Sequence, residues 1–61
     1  MKRLIDINEA SELLHFKKGT IYIYTHRRMI PFIKIGGKLL FDPERLEEWV
    51  REREHEPIRT R

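Results

Sequence analysis

Pro31-Phe32-Ile33-Lys34-Ile35-Gly36-Gly37-Lys38-Leu39-Leu40-Phe41-Asp42-Pro43-Glu44 holds two β-prone runs, a glycine turn and a helix start. Pro31 biases Ile30 towards extended backbone and so closes any helix that arrives from upstream. Phe32–Ile35 and Leu39–Phe41, joined by Gly36-Gly37-Lys38, predict a short β-hairpin, because glycine can take the positive φ that a tight turn requires. Asp42 is a good N-cap, Pro43 suits the first helical position, and Glu44 complements the positive end of the helix dipole. The predicted helix runs from Pro43 to about Glu54. Leu46, Trp49 and Val50 at i, i+3 and i+4 form its narrow apolar stripe, and Glu47 and Arg51 have the spacing of a surface ion pair.

Upstream, Asp6-Ile7-Asn8-Glu9 has capping-box spacing: the Asp6 carboxylate accepts from the Glu9 N–H, and the Glu9 side chain reaches back. A helix is predicted from there to about His15. Ile7, Ala10, Leu13 and Leu14 line its core face, Ile5 and Ala10 form a small staple, and Asn8, Glu9, Ser11 and Glu12 face solvent. Phe16 sits in the turn. A second periodic segment opens at Lys17-Lys18-Gly19-Thr20 and runs to about Arg27. Its core face is Ile21, Tyr24, Thr25 and Arg28; Gly19, Ile23 and His26 lie opposite, with Thr20, Tyr22 and Arg27 on the flanks. The fold class is mainly α with a small β-hairpin, in the order α-α-β-β-α: a helix-turn-helix followed by a wing.

The charge is segregated. No acid stands between Leu13 and Phe41, where Lys17, Lys18, Arg27, Arg28, Lys34 and Lys38 are found. Residues 1–41 hold eight bases and three acids, residues 42–61 five bases and seven acids, for a net +3. A surface kept soluble by charge alone mixes the signs, so the basic window marks a polyanionic partner, most often nucleic acid.

Sixty-one residues make one domain, expected over 1–54 with a flexible tail at 55–61, and leave no room for a sheltered catalytic cavity. No cysteine is present, and His15, His26 and His55 are too scattered for a metal site, so neither metal nor other cofactor is expected. No serine, histidine and carboxylate arrangement suggests an enzyme. No run approaches the roughly 20 apolar residues of a membrane span, and the opening residues lack the apolar core of a signal peptide; a cytoplasmic protein is expected.

Glu9-Ala10-Ser11-Glu12-Leu13-Leu14, Lys18-Gly19-Thr20-Ile21-Tyr22, Ile30 through Gly37, and Phe41 through Val50, taken in that order, resemble the excisionase-type family of small DNA-binding domains, relatives of the MerR-type winged helix-turn-helix. The likeness covers roughly residues 4–50. It implies a recognition helix in the major groove of double-stranded DNA and a wing on phosphate or minor groove. The implied role is an excisionase-like recombination directionality factor or a small transcription regulator, with a site-specific recombinase as possible partner and self-association of copies on DNA.

Carried over by position, the DNA-binding residues are Lys18, Gly19, Thr20, Tyr22, Ile23 and His26, with Lys17, Arg27 and Arg28 at the helix ends and Lys34 and Lys38 on the wing. Four positions depart from the family pattern. His15 and Arg28 stand where glycine is usual, Lys17 where serine often caps, and Ile23 where arginine is frequent. Arginine grips guanine O6 and N7, whereas isoleucine packs on the thymine methyl. The alternative reading is a protein-interaction module that binds a recombinase or other partner through the Ile23 face and the acidic third helix.

Overall fold

The computed structural model describes residues 3–54; the expected tail at 55–61 lies outside the described residues. Three helices and a hairpin follow in the expected order: α1 (Ile7–Leu14), α2 (Lys18–His26), β1 (Ile33–Ile35), β2 (Lys38–Leu40) and α3 (Pro43–Arg53). This is a winged helix-turn-helix.

α1 and α3 start as their capping residues dictate. Asp6 is extended and accepts from the Glu9 N–H at 3.0 Å. Only half of the capping box forms, because the Glu9 carboxylate takes the Arg3 guanidinium at 2.9 Å instead of turning back. Asp42 accepts from the Glu44 N–H at 3.0 Å, with Pro43 at the first helical position. Lys17 offers α2 no side-chain cap.

The core is Ile5, Ala10, Ile21, Ile30, Phe41 and Leu46, so every helix and both flanks of the hairpin contribute. Ile5 and Phe41 are bridged antiparallel by two backbone hydrogen bonds of 2.8 Å, which adds a third strand-like segment beside β2. Around this core Phe16, Tyr24 and Trp49 form an edge-to-face triad with centroids 5.7, 6.0 and 6.4 Å apart, joining the turn, α2 and α3. Trp49 Nε1 donates to the Met29 carbonyl at 2.9 Å, and the Arg53 guanidinium lies 4.2 Å over the indole ring. Trp49 therefore anchors α3 by ring contacts and a hydrogen bond, while Arg53 packs on the indole from within the same helix.

Several expectations need correction. Lys38 belongs to β2, and the loop is Gly36-Gly37 alone, with Ile33, Lys34 and Ile35 paired to Leu40, Leu39 and Lys38. Gly36 has φ +60° and Gly37 does not share the positive sign, the pattern of a type II′ turn whose twist matches the strands. Leu13 is 44 % exposed, because it sits 100° around α1 from Leu14 and the small core cannot wrap that far. Val50 is also on the surface, at the edge of its stripe. Ser11 is half-buried, and its hydroxyl donates to the Phe16 carbonyl at 2.6 Å, bracing the turn from within. Arg28 is exposed: it has left the helix, so helical periodicity no longer places it. Glu47 and Arg51 are not ion-paired; the ion pairs among the described residues are Arg3–Glu9 and Arg53–Glu52.

The two positions where glycine is usual are both left-handed, His15 at φ 59° and Arg28 at φ 56°. Past α2, the Arg28 N–H reaches the Thr25 carbonyl at 3.0 Å and the Met29 N–H reaches the Tyr24 carbonyl at 2.8 Å. That is a Schellman closure with arginine in the glycine position. A side chain there costs about 1–2 kcal/mol, of which glycine's extra unfolded-state entropy returns part. His15→Gly should therefore raise stability by about 0.5–1 kcal/mol, seen as a higher urea midpoint at unchanged slope. A lower midpoint would show that the His15 side chain contributes more than its backbone strain removes.

Candidate nucleic-acid interface

α2 lays Ile21 and Tyr24 against the core, and this turns Gly19, Tyr22, Ile23 and His26 outward. Tyr22 is 53 % and Ile23 52 % exposed, so a chain with a small core leaves two large side chains on the surface of one short helix. The two tyrosines divide as their spacing implies. Tyr24 packs into the aromatic triad, and Tyr22 faces out.

Beside this face stands the hairpin, and the two border an open groove of about 1380 Å³. From α2 and its end come Tyr22, Ile23, Thr25, His26, Arg27 and Arg28; from the hairpin come Lys34, Gly37 and Lys38. Phe32 and Leu39 floor the groove while packing on the core, which holds the hairpin at a set distance from the helix. Thr25, Phe32 and Leu39 had no place among the residues expected at the interface. Thr25 is half-buried, as its core-face position predicts, but reaches the groove edge with its hydroxyl bonded to the Tyr22 carbonyl at 2.9 Å. The two apolar residues belong to the hairpin–core contact, which no local pattern reveals.

Seven expected site residues therefore meet in the groove: Tyr22, Ile23, His26, Arg27, Arg28, Lys34 and Lys38. Lys17, Lys18, Gly19 and Thr20 do not line it. They lie at the N-terminal end of α2, where Gly19 has no atom within 4 Å of the place a Cβ would occupy. Bare backbone there permits close approach by a large ligand.

The electrostatics favour an anion. Among the described residues Asp6 is the one carboxylate lining the groove; a hydrogen bond from the Glu9 N–H holds its pKa below the ordinary carboxylate value, with the charge of Lys38 adding a smaller pull. None of Arg27, Arg28, Lys34 and Lys38 is in an ion pair among the described residues. Lys17 and Lys18 stand at the positive end of the α2 dipole, with no acid in the first turn. Each cation so placed costs about 0.3–1 kcal/mol at an exposed site. A local arrangement that lowers stability marks a surface shaped by something other than folding.

No group of three or more histidine, cysteine or acidic side chains that could hold a metal is present among the described residues, and no described helix is long and apolar enough to cross a membrane. A family model described as a helix-turn-helix domain matches residues 4–54. The chain belongs to that helix-turn-helix domain family, which points to DNA as its ligand. No curated protein and no solved structure gives a significant match.

Proposed function

We propose that the protein binds double-stranded DNA sequence-specifically, α2 entering the major groove and the hairpin lying on the adjacent backbone. Its role is that of an excisionase-like recombination directionality factor or a small transcription regulator. The carrying observation is the groove itself, in which the outward face of α2 and the wing converge with Arg27, Arg28, Lys34 and Lys38 against a single carboxylate. The major groove is wide enough for a helix, and a cationic rim suits the phosphates beside it. The ordered likeness of residues 4–50 to excisionase-type domains supports the finer role.

Lys17, Lys18, Arg27, Arg28, Lys34 and Lys38 are assigned to phosphate. Thr20, Tyr22, Ile23 and His26 read bases, with Gly19 allowing close approach. With isoleucine at 52 % exposure in the middle of the reading face, the preferred site is rich in thymine there.

Salt provides the test. Six phosphate contacts, one for each of these cations, give a log–log slope of affinity against salt of roughly −5.4. A slope near zero would indicate an apolar protein partner instead, and equal competition by duplex RNA would remove the preference for DNA. Selection from a random duplex library should return thymine under α2; a guanine-dominated motif there would contradict the readout. Footprinting around the protein's own gene then separates the two roles, since adjacent repeated sites on bent DNA fit a directionality factor and a single two-fold site fits a regulator.

A further inference from the structure

Among the described residues Ile35 is the most exposed of the large apolar side chains, at 57 %. A lone exposed isoleucine is ordinary. This one ends β1 immediately before the Gly36-Gly37 loop, pairs across the strands with Lys38, and follows Lys34, so it is the apolar tip of an otherwise cationic wing. Successive strand residues point to opposite faces. Lys34 and Lys38 both line the groove towards α2; Ile35 is absent from that lining and, one residue on from Lys34 in β1, belongs to the opposite face of the hairpin.

In duplex DNA a single phosphate strand separates the major groove from the minor. With α2 in the major groove and that strand lying in the cleft beside Arg27, Arg28 and Lys34, the far face of the hairpin lies over the minor groove. The two-residue loop adds only glycines with no atom near either Cβ position, so the loop itself puts no side chain over the tip. Isoleucine is stiff at χ1, and the half-buried cross-strand pair Ile33 and Leu40 supports it from behind on the same face.

We infer that Ile35 is an apolar wedge that enters the minor groove and partly unstacks one base step, kinking the DNA towards the major groove. Minor-groove proteins that insert such side chains kink the duplex by about 20–90°. A pyrimidine–purine step is the cheapest to open, so the wedge adds a preference at a position α2 never touches. This rests on the DNA-binding reading above and specifies how the wing acts within it.

The experiment uses the full chain and a duplex carrying the site selected from the random library, with a fluorophore at each end. Energy transfer between the ends reports the bend, and a salt titration reports phosphate contacts separately. Wild type should raise the transfer. Ile35→Thr, still β-branched but polar and shorter by the terminal methyl, should lose most of that rise and about tenfold in affinity, while keeping the salt slope and the melting temperature. Ile35→Leu should restore the bend. An Ile35→Thr variant that bends the duplex as fully as wild type overturns the wedge while leaving DNA binding intact. Wild type that shows no salt-dependent binding removes the DNA reading, and the wedge falls with it.

Discussion

Lys18→Glu combined with Arg27→Glu is expected to lower affinity for duplex DNA by on the order of 10²-fold or more while the protein stays folded. Each reversal replaces an attraction to phosphate by a like-charge juxtaposition, and such juxtapositions cost several kcal/mol at an interface, with each 1.4 kcal/mol worth tenfold. The fold has little stake in either side chain. Both residues are exposed, and neither is in an ion pair or side-chain hydrogen bond among the described residues. Glutamate at position 18 suits the positive end of the α2 dipole, whereas glutamate at position 27 opposes the negative end, so the two effects on stability largely cancel. Fluorescence anisotropy with a labelled duplex and a thermal melt in the same buffer check both halves. Unchanged affinity in a folded variant would show that α2 is not the docking element.

Phe41→Ala is expected to remove much of the protein's stability and to lower its urea midpoint sharply. Phe41 is fully buried, and its backbone is bridged to Ile5, just ahead of α1 in the chain. Removing a buried phenylalanine side chain costs about 3–5 kcal/mol through lost transfer energy and the cavity left behind. Domains have about 0.05–0.15 kcal/mol of stability per residue, on the order of 3–9 kcal/mol for a chain of this length, so one such substitution consumes much of the total. Phe41→Leu, which keeps most of the volume, should cost about 1.5 kcal/mol and remain folded. Circular dichroism with a urea titration measures both. A cooperative transition for Phe41→Ala at the wild-type urea midpoint would place the centre of the core elsewhere.

The helix starts were legible because their causes are local. Asp6 and Asp42 cap through backbone donors two or three residues away, and Pro43 carries its own φ. The hairpin was legible for the same reason, through Gly36-Gly37 between two β-prone runs. Periodicity worked where a residue stayed helical and central to its stripe: Ala10, Ile21, Tyr24, Leu46 and Trp49 all turn inward. It failed at Leu13 and Val50, on stripe edges where the reach of a neighbouring element decides burial, and at Arg28, which lies past the helix. The half-formed capping box failed because Arg3, outside the local pattern, competes for the Glu9 carboxylate.

For the interface, the residue types and their order could be read from the chain, since charge segregation and the outward face of one helix are properties of sequence spacing. Their convergence could not. The groove exists because Phe32 and Leu39 seat the hairpin on the core beside α2, while the Ile5–Phe41 bridge and the Trp49 bond to Met29 hold the strand ends and the closing helix in place. The bridge and the bond join residues about 20 or more positions apart. Linear patterning carries capping, turn type and the sign of charge; which surfaces meet is settled by packing between distant segments, because burial energy depends on the whole set of neighbours and no short window contains them.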